Sequence, residues 1–338
     1  MSPTMKKRLG AGALILLPIL CVLFSLTLGA YRITAADVFR ILFGKVSGNM
    51  PADIKPLQVS MVMDVRLPRI LGAVAVGTAL AVSGGVFQAL FGNPLADPYT
   101  LGVSNGAGFG AALAIVLSAS SAAVQLSALG FGILSVGMTF LLAGKNRRAP
   151  VSLILSGMLV SAFFSSLVSL LKFTADPYEK LPQIIYWLMG SLTGVRYRKL
   201  AVILPGFAAA LVILFLYRWR INILSMGNRE AQSMGVNVQR DRTVVILAAT
   251  LLTALAVSIS GIIGWVGIVI PHLSRMIVGP DLRKLMPASA SLGICYLLII
   301  DDLCRTLTSL EIPIGVITGM IGIPIFVVFI ARQKVSWT

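Results

Sequence analysis

The chain has 338 residues, 57% of them hydrophobic and 12% charged, with a mean hydropathy of +0.93. Soluble domains carry about 25% charged residues, so a water-soluble globule is excluded, because its surface would be one continuous apolar patch. The net charge of +16 does not point to nucleic acid, since the basic residues stand in short clusters between apolar runs (Lys6-Lys7-Arg8, Lys145 with Arg147-Arg148, Arg218 with Arg220) and form no single stripe.

Apolar runs able to cross roughly 30 Å of hydrocarbon fall at ten places: 11–30, 67–91, 100–118, 122–144, 150–172, 199–218, 243–262, 263–279, 287–307 and 313–331. They predict an all-α integral membrane protein with one polytopic domain over 1–338. The first run spans the bilayer, and Leu20 before Cys21 is unlike a lipoprotein cleavage site, so it reads as an uncleaved helix. Thr34 and Asp37 open a helix that lies along the interface, with Val38, Ile41 and Leu42 on one face.

In the second span Ala73, Gly77, Ala81 and Gly85 recur every four residues, and Gly106 with Gly110 repeats the device in the third. Small residues at that spacing let helix backbones approach closely in lipid. Next, Gly92-Asn93-Pro94-Leu95-Ala96-Asp97-Pro98 breaks the helix. Non-helical backbone at membrane depth must line a cavity or be covered by protein, and this stretch reads equally as a gate or a tight turn. Residues 178–190, with Leu181, Ile184, Ile185, Trp187 and Leu188, form a second interfacial helix. The eighth span is short and starts beside Gly261 and Gly264, so it is expected to be tilted or broken. In the ninth, Asp301 and Asp302 have Arg305 one turn on as a partner.

Ten spans place both termini on one side. With Lys6-Lys7-Arg8 in the cytoplasm, so are loops 145–149, 219–242 and 280–286 and the C-terminal Arg332 and Lys334, all basic as the orientation rule requires. Loop 219–242 is the most informative. Its stretch Gly227-Asn228-Arg229-Glu230-Ala231-Gln232-Ser233-Met234-Gly235 predicts a short helix, capped by Asn228, with Glu230 at the positive end and Gly235 ending it in a left-handed turn. Asn237 caps the next turn. So much capped structure is long for a connector and reads as a docking surface.

The absences narrow the function. There is no GxxxxGK[ST] phosphate loop, so this chain does not hydrolyse ATP, and there is no HExxH, paired Cys/His cluster or nucleophile elbow. One histidine, His272, cannot build a metal site, and no metal is expected. Cys21, Cys295 and Cys304 read as small apolar fillers. Mid-span ionisable groups are scarce, which counts against an ion-coupled secondary transporter, and unclustered reactive groups count against a membrane enzyme.

Three stretches carry a resemblance: Arg66-Leu67-Pro68-Arg69, Gln88 to Pro98 as Gln-Ala-Leu-Phe-Gly-Asn-Pro-Leu-Ala-Asp-Pro, and Leu101-Gly102-Val103-Ser104-Asn105-Gly106-Ala107-Gly108. The second half adds Gly227 to Val236, Gly264-Trp265-Val266-Gly267 continuing to Ile270-Pro271-His272-Leu273-Ser274-Arg275, and Glu311-Ile312-Pro313-Ile314-Gly315-Val316-Ile317-Thr318. In order and spacing the chain resembles the FecCD-type permeases of ABC importers for ferric siderophores, haem and cobalamin.

The resemblance implies the type II ABC importer permease fold and a bacterial cytoplasmic membrane location. It implies a second permease subunit, identical or paralogous, two cytoplasmic ATPase subunits that bind ATP and Mg, and an extracytoplasmic substrate-binding protein. This chain then needs no cofactor, contacts lipid and binds no nucleic acid. The resemblance assigns ATPase coupling to Asn228, Arg229, Glu230, Ala231, Met234, Gly235 and Val236. It makes Arg66, Arg69 and Arg305 outward-facing contacts for the binding protein, positional anchoring by interfacial arginines being the alternative. It assigns the gate and path to Asn93, Pro94, Leu95, Ser156, Met158, Ser161 and Ser165. The implied cargo is a bulky metal chelate, ferric siderophore first and cobalamin or haem next.

Overall fold

The computed structural model describes residues 3–29, 31–144, 150–308 and 310–332. The predicted loop 145–149 and Lys334 lie outside the described residues, as do the side chains of Lys6, Lys7, Arg8 and Arg332. Among the described residues the regular structure is entirely helical. In chain order the helices are α1 (Pro3–Thr27), α2 (Ala35–Ser47), α3 (Pro56–Ser60), α4 (Leu67–Phe91), α5 (Val103–Val116), α6 (Ser121–Ala143) and α7 (Pro150–Thr174). They continue with α8 (Lys180–Leu188), α9 (Tyr197–Ser225), α10 (Asn228–Ser233), α11 (Val238–Ser260), α12 (Val266–Val278), α13 (Leu282–Thr306) and α14 (Ile314–Arg332). Six stretches are long and apolar enough to cross a membrane: Pro56–Phe91, Ser121–Ala143, Val151–Thr174, Tyr197–Ser225, Val238–Ser260 and Leu282–Thr306. Four shorter apolar helices, Gly12–Thr27, Val103–Val116, Val266–Val278 and Ile314–Phe329, occupy the remaining predicted positions.

Helices α2 and α8 form where the two interfacial helices were expected. Thr34 caps α2 by accepting the Asp37 amide at 3.2 Å, and Val38 and Ile41 are buried beneath it. No local pattern announces the run before α4. There Pro56, at the first helical position, starts α3, and a π-helical turn over Met61–Arg66 joins it to α4 without a break. The polar residues Lys55, Gln58 and Asp64 disguised this extension as loop.

α4 is buried on nearly every side, and its glycines explain how. A Cβ on Gly77 would strike the Gly293 carbonyl of α13, and one on Gly84 would strike Gly267 of α12. The predicted row thus includes Gly77, whereas the tighter approach, at Gly84, lies off it. Gly106 and Gly110 bring α5 onto α6 at Phe131, Ser135 and Ser127.

Helices α5 and α12, with 14 and 13 residues, reach only about 20 Å. Irregular backbone completes each crossing, and the two irregular segments meet inside the bundle. The Tyr99 hydroxyl donates to the Ile263 carbonyl at 2.8 Å and accepts the Ile263 amide at 3.3 Å, so one phenol satisfies both backbone groups of that residue. Trp265 then enters α12 with a left-handed φ of 71°. Nearby, the Ser191 amide donates to Ser260 at 2.7 Å, and Met189 and Gly190 accept the first amides of α14, from Gly315 at 3.0 Å and Ile314 at 2.9 Å.

The end of the bundle where α4 begins is tied by charges. Arg69 bonds Asp301 of α13 at 2.9 Å and Glu311 at 2.8 Å, and Glu311 accepts from Thr193 at 2.5 Å. Burial opposes the Glu311 charge, but the Thr193 hydroxyl and Arg69 outweigh it and hold its pKa below the usual range. Arg305 pairs with Asp302 and donates to the Ser25 carbonyl at 2.6 Å, and Arg66 donates to the carbonyls of Leu26, at 2.7 Å, and Tyr31. All three arginines are buried. The expectation that Arg66, Arg69 and Arg305 face outward is therefore corrected. Isolated cations at this depth are costly, and the fold supplies each with partners from its own chain. Arg305 has its expected partner in Asp302, whereas Asp301 belongs chiefly to Arg69.

Two outcomes follow for unfolding followed in mixed detergent micelles. Arg69→Gln strands Asp301 and destabilises the protein by about 3–5 kcal/mol, and a compensating Asp301→Leu recovers most of that loss. Tyr99→Phe leaves the Ile263 amide and carbonyl unpaired and costs about 1–3 kcal/mol.

Candidate functional site

Two features at the end of the bundle opposite the arginine network bring predicted residues together. The first is α10. Its cap is Gly227, with φ 124°, and the Asn228 side chain does not cap the helix as expected. The Asn228 oxygen instead accepts from the Arg242 guanidinium at 3.0 Å, tying α10 to α11. The Glu230 carboxylate folds back over Gly227, where a Cβ would meet it. Gly235 has the predicted left-handed conformation, with φ 76°, and Asn237 caps α11 by accepting the Arg240 amide at 3.0 Å. Ala231 and Val236 are buried and anchor the segment. Asn228, Arg229, Glu230, Met234 and Gly235 remain exposed, joined by Met226. The result is a short rigid ledge with a mixed apolar and charged face.

Behind the ledge the helices are longer than expected. α9 continues to Ser225 and α11 starts at Val238, so the irregular part of 219–242 is shorter than predicted. The charges that suggested a loop are helix-borne: Arg220 pairs with the buried Asp241 at 2.9 Å. Asn222 donates to Asp281 at 2.7 Å and accepts the Leu282 amide at 2.8 Å, which fastens α9 to the start of α13. Hydrogen bonds from Arg283, with further help from Asn222, hold the Asp281 carboxyl down at about 2, so it is charged at any physiological pH. These ties were missed because polar residues 20 to 60 apart carry no pairing signal in one sequence.

The second feature is a cavity of about 430 Å³ lined by Asn93, Leu95, Ala96, Tyr99, Thr100, Ile154, Met158 and Ser161. Asn93, Leu95, Met158 and Ser161 thus converge, from the break after α4 and one face of α7. The break is locally built: the Asn93 side chain accepts the Leu95 amide at 2.9 Å, and Asp97 accepts the Tyr99 amide at 2.8 Å. Pro94 is exposed beside the cavity without lining it. Ser165 is exposed one turn farther along α7, and Ser156 is buried on another face, so neither reaches this cavity. Tyr99, Thr100 and Ile154 were not foreseen, although the first two directly follow the noted motif.

Among the described residues no group of His, Cys, Asp and Glu could hold a metal. His272 is packed near the rings of Phe326 and Phe329, with centroids 6.1 and 5.7 Å away. The three cysteines are free thiols.

Comparison with known proteins places this architecture. The FecCD transport family matches residues 16–332. The molybdate import system permease protein MolB of Haemophilus influenzae is 41% identical over 322 residues, covering 95% of each chain. The hemin transport system permease protein HmuU of Yersinia pestis is 35% identical over 341 residues, covering 99% of this chain and 98% of its own. A solved structure described as a metal-chelate type ABC transporter in an inward-facing conformation aligns with a TM-score of 0.85 at 39% identity, covering 95% of this chain and 98% of that one. The chain has the type II ABC importer permease fold and, as a permease subunit, is no enzyme in its own right. By this match over nearly its whole length, it belongs to the FecCD transport family.

Proposed function

We propose that this chain is the translocating subunit of an ATP-driven importer that moves a bulky metal chelate across a bacterial cytoplasmic membrane into the cytoplasm. Ferric siderophore is the leading cargo, with cobalamin or haem as alternatives. Two permease subunits, identical or paralogous, face each other across the path, two ATPase subunits bind ATP and Mg below, and a binding protein delivers the cargo from outside. The exposed side chains Leu155, Leu159 and Phe163 of α7 and Met320 and Ile323 of α14 suit the subunit interface.

The observation that carries the reading is the ledge α10, anchored by Ala231 and Val236 while Arg229, Glu230 and Met234 project. Such a face fits a groove on a soluble motor, with α10 and both termini in the cytoplasm. Closure of the ATPases pushes the ledge. The push passes to α11 through Asn228 and Arg242, and to α13 through Asn222 and Asp281. Asn93 and Leu95 then open or shut the cavity against Met158 and Ser161.

The relative named for molybdate import raises a second cargo class, a small metal oxyanion. The lining of the cavity favours the chelate. It contains no charged residue, so a bare oxyanion there would lose its hydration with no cation in return.

The test is uptake by proteoliposomes holding the permease, its ATPase and its binding protein, fed radiolabelled ferric siderophore, cobalamin, haem or molybdate in parallel. Chelate uptake that requires ATP is expected. Glu230→Lys and Met234→Trp each lower it about tenfold, equivalent to ~1.4 kcal/mol of lost coupling, while basal ATP hydrolysis persists. Uptake without the ATPase, or normal uptake in both variants, defeats the proposal, and transport of molybdate alone transfers it to the oxyanion.

A further inference from the structure

At the end of the bundle away from α10 lies a larger cavity, about 550 Å³, between α5, α6, α8, α9 and the end of α11. Its polar lining includes Lys180, Gln183 and Lys199, and its apolar lining includes Ile115, Val124 and Ile259. The two lysines are the unusual part. Lys199 is half-buried with its ammonium over Gly194, and among the described residues no carboxylate pairs with it. Arg196 adds a like charge beside it. Lys180 has a side chain only 18% exposed, and its one anionic neighbour is Glu179 at 3.4 Å, whose carboxylate is largely in solvent. Gln125 is already committed, donating to the Lys199 carbonyl at 3.2 Å. A partly desolvated cation without a counter-charge is unfavourable, and Lys199 differs in this from Arg69 and Arg305, whose carboxylate partners come from the same chain. Glu179 also lines the cavity but faces solvent beside Lys180, so among the described residues Lys199 is left without a carboxylate.

Its surroundings indicate what carries the anion. The flanking helices α6 and α9 turn Leu126, Val202 and Leu204 outward, the surface expected against acyl chains. The cavity lining combines the lysines with aliphatic side chains and with Tyr186 and Trp187, aromatics of the kind enriched at the membrane interface. A soluble anion would need only the cations, whereas an amphiphile uses both halves. We propose that this cavity binds the phosphate oxyanion of an anionic phospholipid, with Lys180 and Lys199 on the headgroup and the start of an acyl chain against Ile115, Val124 and Ile259. The bound lipid neutralises the lysines and fills the gap behind α8.

The test uses the full permease–ATPase complex in nanodiscs of phosphatidylcholine containing a minor fraction of phosphatidylglycerol, with retained lipid read by native mass spectrometry and affinity by titration of a labelled phosphatidylglycerol. Saturable retention is expected. Lys199→Gln and Lys180→Gln each weaken it about tenfold, the effect of one charge-assisted bond, while Lys199→Arg retains it. Arg198→Gln, an exposed neighbour outside the cavity, binds as the parent does. Equal retention in all variants overturns the proposal. So does displacement by millimolar inorganic phosphate or glycerol phosphate as readily as by lipid, which assigns the lysines to a soluble anion. Loss of uptake in Lys199→Gln with lipid binding intact overturns it too, by assigning the cavity to the cargo.

Discussion

Polar backbone inside hydrocarbon must find partners within the protein, and that constraint organises this fold. Two of the crossings are short helices completed by irregular chain. Several amides and carbonyls in and around those segments are met by another irregular segment or by a side chain. Tyr99 serves Ile263, Ser260 receives the Ser191 amide, and Met189 with Gly190 receives the opening amides of α14. The breaks therefore stabilise one another, and they can persist only together. Segments that are costly singly become a junction joining α8, α11, α12 and α14 to the turn after α4.

Close approach makes that junction possible. Lipid provides no hydrophobic drive for helix association, so contact area and backbone proximity must supply it. α4 meets α13 at Gly77 and Gly293 and meets α12 at Gly84 and Gly267. Among the described residues the paired charges within the bundle gather at its two ends. At one end buried arginines are matched by Asp301, Asp302 and Glu311, and at the other Arg220, Asn222, Asp241 and Asp281 link three helices. Between them the described core is mostly apolar, and the buried hydroxyl of Thr253 pairs there with that of Ser83 at 3.0 Å.

What the sequence made legible follows from how far each signal reaches. Spans, interfacial helices and the α10 turn depend on neighbours within a few residues, and they emerged with errors mainly at their ends. The largest of those errors have one cause. Charged residues such as Arg218, Arg220 and Asp64 were read as leaving the membrane, although a helix can continue past it or pair its charges internally. The break at Asn93 and Leu95 was visible because prolines mark it, but the face of α7 opposite was not, so Met158 and Ser161 meet the cavity while Ser156 does not. The arginines mark the same boundary more sharply. Arg69 lies 232 residues from Asp301 and 242 from Glu311, and no local pattern reveals such partners, so position at a span end suggested exposure where the fold has burial.

One helix touches both charged ends. α13 begins at the Asn222–Asp281 tie, finishes with Asp301, Asp302 and Arg305, and is gripped near its middle where Gly293 lies against Gly77. A stiff element held at its midpoint behaves as a seesaw with a glycine fulcrum. A tilt of about 10° about that point would carry its ends roughly 3 Å in opposite senses, given a rise of ~1.5 Å per residue. Any shove delivered beneath the bundle would then arrive at the far rim reversed in direction, with no moving part in between.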